Sequence, residues 1–200
     1  MDLFITILLI VVVGFSAILH EVAHGLAARA LGDKTAEYAG RLTLNPLKHL
    51  DWFGSVIMPF FLSLAHLPLF AYAKPVPYNP YNLSNQKLGP ALVSAAGPGT
   101  NLLIAIIMAG LIRTNLLPLG IQSFLFLVLE VNVSLGIFNL LPIPPLDGSK
   151  LLYAFLPRRF DHIKYTLERY GIFIVFIFIY YFSWILLPIL NFVERILIGS

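Results

Sequence analysis

The chain has 200 residues, of which 58% are hydrophobic and 12% charged, and its mean hydropathy is +0.85. Soluble domains are about 45–50% apolar and about 25% charged, so this composition excludes a disordered chain, a collagen-like chain and an ordinary water-soluble enzyme. Cysteine is absent, which excludes disulfides and thiolate chemistry. The net charge is +3. From the length and the apolar composition, we expect a single domain over residues 1–200 that is embedded in a bilayer.

Long, mostly apolar stretches predict an all-α membrane protein, a polytopic helix bundle with about four spanning helices. A helix needs about 20 mostly apolar residues to cross a bilayer. The stretches that meet this length are Leu3–Leu31, Gly89–Ile112, Thr114–Leu146 and Tyr170–Val193. The first is expected to be a retained helix, because it lacks the basic start and the small-residue cleavage site of a signal peptide.

The remaining segments predict three further features. Trp52–Ala73 is also uncharged, but Pro59 and Pro68 interrupt it, so we expect a re-entrant or interfacial segment. Arg41-Leu-Thr-Leu44 alternates polar and apolar residues, which predicts a short β-like stretch after the first helix. Lys74–Asn85 is rich in proline and is expected to form an irregular loop.

One motif in the first apolar stretch is typical of zinc enzymes. His20-Glu21-Val22-Ala23-His24 has the H-E-x-x-H pattern, which on a helix places both histidines on one face with Cβ atoms roughly 5–6 Å apart. Two such imidazoles can hold one Zn²⁺, and Glu21 lies beside them to take a proton from an activated water. Chance would give about 0.003 such motifs at this composition, and ionisable residues inside an apolar helix are functional by default.

A catalytic zinc has three protein ligands and one open position, so a third ligand must come from elsewhere in the chain. The candidates are His49, Asp51, His66, Glu130, Asp147 and His162. Asp147 is the best placed, because it follows an apolar run and the helix-stopping prolines of Asn139-Leu-Leu-Pro-Ile-Pro-Pro-Leu-Asp147-Gly148. Backbone exposed in this way is tolerated at membrane depth only beside protein or a wet cavity. Gly148 is expected to let the chain turn sharply after the aspartate.

These two motifs resemble those of the site-2 protease family of intramembrane zinc metalloproteases, peptidase family M50. Supporting stretches are Ser94-Ala-Ala-Gly-Pro-Gly-Thr-Asn101, Asn45–Asp51 and Lys74–Pro77. The resemblance covers nearly the whole chain in the family's order. It implies that His20, His24 and Asp147 bind the zinc, one ion per chain, and that Glu21 is the base. It also implies a minimal form without the PDZ or CBS domain that some members carry.

The predicted function is that of a zinc metalloendopeptidase cleaving transmembrane segments of other membrane proteins, with lipid but no nucleic acid as a partner. Because a helical substrate must unwind, we expect its extended segment to add as a strand to the edge of Arg41–Leu44. Asn101 and Asn139 are candidates to hold the substrate carbonyl or its oxyanion, and helix–helix hydrogen bonding is the alternative. His49 and Asp51 are expected to be structural, and Glu130 is assigned no role.

A different class of protein would show the same intramembrane residues. A membrane transporter or metal-binding channel could use His20, Glu21, His24 and Asp147 as an ion path. Many transporters contain inverted repeats, and this sequence shows none. The peptidase is therefore the favoured prediction.

Charge and parity predict the orientation. Sharing a metal requires the helices that end near His24 and Asp147 to run in the same direction. Of the two apolar stretches between them, Trp52–Ala73 and Gly89–Ile112, only one can then cross the membrane, and we expect it to be the uninterrupted Gly89–Ile112. Most lysines and arginines then lie on the metal-site face, and only Arg113 and Arg195 lie on the other. By the positive-inside rule, we expect a multi-pass protein of a prokaryotic cell membrane, with the active site nearer the cytoplasm and both termini outside.

Overall fold

The computed structural model describes residues 3–51 and 74–199, together with positions 57, 61 and 64. The predicted re-entrant segment Trp52–Ala73 lies, apart from those isolated positions, outside the described residues. The described helices are α1 Leu3–Ala30, α2 Thr35–Tyr38, α3 Gly89–Arg113, α4 Leu119–Asn139, α5 Asp147–Phe155, α6 Asp161–Phe182 and α7 Leu186–Ile198. Short 3₁₀ turns lie at Pro46–Lys48, Pro80–Asn82, Arg158–Phe160 and Ser183–Ile185.

Four helical segments of the described chain are long and apolar enough to span a membrane, namely Leu3–Ala30, Gly89–Arg113, Leu119–Asn139 and Asp161–Ile198. Their outer surfaces carry large apolar side chains, with Phe4, Phe173 and Trp184 exposed by 69%, 64% and 65%. An apolar surface of this extent is stable against lipid and not against water. The predicted all-α, multi-pass bundle is therefore confirmed.

Helix α3 is the centre of the bundle and packs against α1, α4 and α5. Its C-terminal half contributes Ala105 and Ala109 to a fully buried cluster with Leu129 and Val133 of α4. Small residues at such a seam let two helix backbones approach closely, which favours packing in a bilayer. Helix α7 covers the same cluster, so this half of α3 is an apolar core and its N-terminal half is left to position the site.

The predicted β-like stretch at Arg41–Leu44 is wrong, because these residues form bends without strand pairing. The Arg41 N–H closes the turn after α2 by donating to the Ala36 carbonyl. The Thr43 carbonyl accepts from His49 Nε2 at 2.8 Å. An alternating pattern makes a strand only where a neighbouring strand supplies the ladder, and here other partners take these backbone groups. The edge expected to receive a substrate strand is therefore not present at Arg41–Leu44.

A buried carboxylate fixes the loop that follows the undescribed segment. Asp33, just after α1, is 0% exposed and accepts hydrogen bonds from Thr35, from the Asn79 N–H at 2.6 Å and from Asn82 Nδ2 at 3.0 Å. Burial raises the pKa of Asp33, but these hydrogen bonds together lower it by more, so the pKa lies below its ordinary value. The ionised Asp33 thus ties residues 79–82 to the C-terminal end of α1.

Candidate active site and metal centre

The two histidines of the motif meet on one face in the second half of α1. They are 7% and 9% exposed, and their Nε2 atoms lie 3.0 Å apart. The rings are nearly perpendicular, with centroids 4.6 Å apart. This is the arrangement that the four-residue spacing predicts, because α1 continues unbroken through the motif.

Asp147 reaches this face from the start of α5. Its Oδ2 lies 3.0 Å from His20 Nε2 and 3.2 Å from His24 Nε2. The sequence interpretation placed Asp147 near the C-terminal end of a helix, whereas α4 ends at Asn139 and Asp147 is the first residue of α5. Gly148 has no left-handed conformation, so its expected role as a sharp turn is wrong. A Cβ at this position would collide with the carbonyls of Leu140 and Leu141, so glycine is needed for close backbone packing.

The three inward atoms suit a divalent metal. His20 Nδ1 donates to Asn101 Oδ1 at 2.6 Å, and His24 Nδ1 donates to the Val93 carbonyl at 2.7 Å. Each neutral imidazole therefore directs a bare Nε2 lone pair towards the Asp147 carboxylate, and three such electron-rich atoms need a cation between them. In a tetrahedral zinc site with ligand distances of about 2.0–2.1 Å, ligand atoms lie about 3.3–3.4 Å apart. The separations of 3.0–3.2 Å are close to this value.

Glu21 lies beside the metal group and is held by the chain. Its Oε2 accepts a hydrogen bond from the Val76 N–H at 2.8 Å. Val76 belongs to residues 74–79, an irregular segment anchored where the Arg41 guanidinium donates to the carbonyls of Lys74 and Pro75 at 3.4 Å. The carboxylate of Glu21 is thus fixed through one of its two oxygens.

Comparison with known proteins matches the chain to one family of peptidases. The model for peptidase family M50 matches residues 109–182. YwhC of Bacillus subtilis, named a zinc metalloprotease, is 35% identical over 195 residues, which cover 92% of this chain and 85% of YwhC. Rip2 of Mycolicibacterium smegmatis, named likewise, is 31% identical over 86% of this chain and 67% of its own length. The chain belongs to peptidase family M50. No solved structure matches it.

Family membership confirms the predicted resemblance to the site-2 proteases and the prediction of a metalloprotease. The family model covers Asp147 but not the H-E-x-x-H motif, whereas the match to YwhC extends over nearly the whole chain. In the described part of this M50 peptidase, His20, His24 and Asp147 form the one group of His, Asp and Glu side chains placed to hold a metal.

The metal group opens into a cavity of about 260 Å³. Besides His20, Glu21, His24 and Asp147, its walls include Pro75, Val76, Tyr78, Ser94, Asn139 and Lys150. Burial and the negative charges of Asp147 and Glu168 raise the pKa of Tyr78, so its hydroxyl stays protonated at neutral pH. A larger cavity of about 640 Å³ also borders Lys150 but contains no residue of the metal group, so the smaller cavity is the candidate site.

The other predicted site residues divide between the cavity and the protein interior. Asn139 lines the cavity and donates to the Leu135 carbonyl at 3.0 Å. Asn101 is 0% exposed and contacts His20, and it is not among the cavity residues. Of the rejected ligand candidates, His49 is buried in the loop after α2, and Glu130 and His162 are exposed outside the metal group. The oxyanion role of Asn139 stays a prediction.

Sequence reasoning missed two contacts of this peptidase that the fold creates. One is the Val76 N–H on Glu21, which comes from a loop 55 residues away. The other is Gly97, where a Cβ would lie 2.5 Å from His24 Nε2 and 2.6 Å from His20 Nε2. Both lie in stretches that resemble family patterns, Lys74–Pro77 and Ser94–Asn101. That resemblance was the available signal, and it did not indicate what either residue does.

We expect Gly97→Ala to weaken metal binding by at least about tenfold, as for other changes that displace metal ligands. The added methyl group would fill the space beside both Nε2 atoms and force the imidazoles apart. The control is Gly99→Ala on the same helix, because a Cβ at Gly99 meets nothing within 4 Å. The measurement is zinc affinity by competition with a chromophoric chelator. Equal affinities for the two variants would contradict the prediction.

Proposed function

We propose that this M50 peptidase is a zinc-dependent intramembrane endopeptidase that cleaves transmembrane segments of other membrane proteins. The observation that carries the proposal is the convergence of His20, His24 and Asp147 within 3.2 Å of one another beside the anchored Glu21. One zinc ion per chain fits this set, with His20 Nε2, His24 Nε2 and Asp147 Oδ2 as its ligands. The catalytic unit is a single membrane-embedded domain.

The chain's own residues account for the proton transfers of peptide hydrolysis. A bound zinc supplies Lewis acidity that activates water and polarises a carbonyl at neutral pH. Glu21 Oε2 is occupied by the Val76 N–H, so Glu21 Oε1 accepts the proton of the attacking water. The water oxygen bonds to the carbonyl carbon, and Glu21 then delivers its proton to the amide nitrogen as the C–N bond breaks. The products are a carboxylic acid and an amine, and proton transfer at neutral pH leaves one carboxylate and one ammonium group.

The position of the cavity supports a membrane-embedded substrate. The cavity lies between the second half of α1, the N-terminal half of α3 and the start of α5. Two of these three helices are long and apolar enough to span a membrane. Polar wall residues, including Tyr78, Ser94 and Lys150, give the water required for hydrolysis a place to bind beside the metal group. A transmembrane segment that unwinds at this depth is the substrate such a site would meet.

Removing the metal should stop cleavage reversibly. Purified protein would be incubated with an isolated bacterial membrane fraction, and new peptide termini would be identified by mass spectrometry. We expect termini inside transmembrane segments with the zinc-loaded protein, none after treatment with phenanthroline, and recovery on adding Zn²⁺. The reason is that Glu21 alone cannot activate both water and carbonyl.

The same preparation separates the peptidase from the transporter. Protein reconstituted into liposomes would be tested for Zn²⁺ and proton flux across the bilayer. Metal-dependent termini without flux support the proposal. If the wild type conducts ions, Asp147→Asn does not, and no new termini form, the protein is a transporter or channel and not a peptidase.

The orientation is part of the proposal and places the active site near the cytoplasm of a prokaryotic cell membrane. Two contacts support the number of membrane crossings on which this orientation depends. The Lys74 N–H donates to the His49 carbonyl at 2.9 Å, so the two ends of the segment between them lie together, as a re-entrant path requires. At the other end of the bundle, Arg113 donates to the Ile196 carbonyl at 2.6 Å, so Arg113 lies beside the residue that follows Arg195, the other cation expected outside.

Cysteine labelling tests this topology, because the chain contains no cysteine of its own. We expect Pro80→Cys to resist an impermeant thiol reagent added to intact cells and to react after the cells are opened. Leu116→Cys, in the exposed loop between α3 and α4, should react from outside and serves as the control. Outside labelling at position 80 would show that the segment between His49 and Lys74 crosses the membrane.

A further inference from the structure

Three buried polar side chains from three different helices meet behind His20. Asn101 of α3 and Asn132 of α4 are both 0% exposed, and Ser16 of α1 is 4% exposed. Asn101 Oδ1 accepts from His20 Nδ1 at 2.6 Å. On its other side, Asn101 Nδ2 donates to Asn132 Oδ1 at 2.9 Å and lies 3.4 Å from the Ser16 carbonyl. The three residues therefore form one connected network that ends on a metal ligand.

The network has a fixed direction, which is set on α4. Asn132 Nδ2 donates to the Val128 carbonyl at 2.8 Å and to Ser16 Oγ at 2.9 Å. Because a carbonyl can only accept, the Asn132 amide must turn its Oδ1 towards Asn101. Asn101 must then present its Nδ2 to Asn132 and its Oδ1 to His20. Rotating the Asn101 amide by half a turn would bring two carbonyl oxygens together in the buried interior, which is costly.

This direction decides which nitrogen of His20 carries the proton. An acceptor at Nδ1 keeps the proton there and leaves the Nε2 lone pair free for a metal. If Asn101 were reversed, its Nδ2 would require Nδ1 to accept, the proton would move to Nε2, and Nε2 could no longer bind a metal. The Val93 carbonyl fixes His24 in the equivalent way, but it is a backbone group and needs no further orientation.

We propose that Asn132 is a remote positioning residue of the metal centre, which acts through Asn101 to hold His20 in the tautomer that binds metal. The inference rests on the metal site of the proposed function and not on peptide hydrolysis. Asn132 touches neither the metal ligands nor the cavity wall. Its effect is therefore on metal affinity and on ligand geometry, and it reaches catalysis only through them.

The test compares two substitutions of Asn132 in the purified full chain. Asn132→Leu fills the same space but removes both the donor and the acceptor. Asn132→Asp keeps the oxygen that faces Asn101. We expect Asn132→Leu to weaken zinc affinity by about tenfold and to change the visible absorption spectrum of the Co²⁺-substituted protein. Asn132→Asp should stay within about threefold of the wild type and keep the wild-type spectrum.

Leu129→Ala is the matched control for a merely structural effect. Leu129 is fully buried one turn earlier on α4, in the apolar cluster, so this change destabilises the bundle without touching the network. It should lower the thermal midpoint and leave zinc affinity and the Co²⁺ spectrum unchanged. If Asn132→Leu yields no folded protein, Ser16→Ala is tested in its place. Ser16→Ala removes one hydrogen-bond acceptor of Asn132, so zinc affinity is expected to fall by a few-fold.

The outcomes are distinct. Wild-type affinity and spectrum in Asn132→Leu, or an equal loss of affinity in Leu129→Ala, would overturn the inference and leave the proposed function intact. A wild-type chain that binds no zinc would overturn both. A loss of zinc affinity in Asn132→Leu, with near wild-type affinity in Asn132→Asp, supports a positioning role. If Asn132 served only to fill space, a buried carboxylate would be tolerated less well than leucine.

Discussion

Replacing Glu21 by glutamine is expected to abolish peptide hydrolysis while the zinc content stays at the wild-type level. Glutamine has the same shape, and its Oε1 can still accept the Val76 N–H that now binds Glu21 Oε2. The amide cannot take a proton from water, and general base catalysis contributes about 10²–10⁴-fold to such reactions. We therefore expect the rate of formation of new termini in membrane proteins to fall by at least about a hundredfold.

A matched control separates the loss of the base from the loss of a charge. Glu37→Gln makes the same change on α2. Glu37 Oε2 lies 3.1 Å from Arg29 Nε in a salt bridge, and neither residue belongs to the metal group. Exposed pairs of this kind contribute little to stability, so this variant should cleave at the wild-type rate. Cleavage by purified, zinc-loaded Glu21→Gln at a similar rate would show that Glu21 is not the base.

The double variant His20→Ala/His24→Ala is expected to lose nearly all bound zinc. With both imidazoles removed, Asp147 is the one ligand that remains of the described metal group, and a single carboxylate does not hold zinc in a structured site. Elemental mass spectrometry of the purified protein measures the zinc content per chain. Retention of stoichiometric zinc would place the metal elsewhere in the molecule.

The control for this variant is His162→Ala. His162 is exposed near the start of α6 and lies outside the metal group, so its removal should leave the zinc content unchanged. The single variant Asp147→Asn tests the third ligand separately. It keeps the shape of the side chain but loses the negative charge, and we expect zinc affinity to fall while the histidines still meet.

The predictions on zinc binding share a physical cause. The three ligand atoms are electron-rich and lie within 3.2 Å of one another, among buried side chains where charges are poorly screened. Without a cation or bridging protons, the two lone pairs and the carboxylate charge would repel one another. A divalent metal removes this repulsion, so the loss of any one ligand is expected to change zinc binding.

Local spacing was enough to predict two of the three residues of the candidate metal group. His20 and His24 are four residues apart on a helix, and helix geometry alone puts them on one face. The four spanning segments of the described chain could likewise be predicted, because bilayer thickness fixes the length of an apolar run. Asp147 could be chosen from a short set of candidates with the help of the family resemblance, but its distance from the histidines could not be derived.

Contacts between distant parts of the chain were decided by the tertiary structure. The alternating pattern of Arg41–Leu44 predicted a strand, but a strand depends on a partner that the sequence does not name. The same holds for Val76 on Glu21 and for Asn132 behind Asn101, separated by 55 and 31 residues. Gly97 and Gly148 are glycines because of what packs against them. The sequence therefore determined the residues that can bind the metal, and helix packing decided which groups orient them.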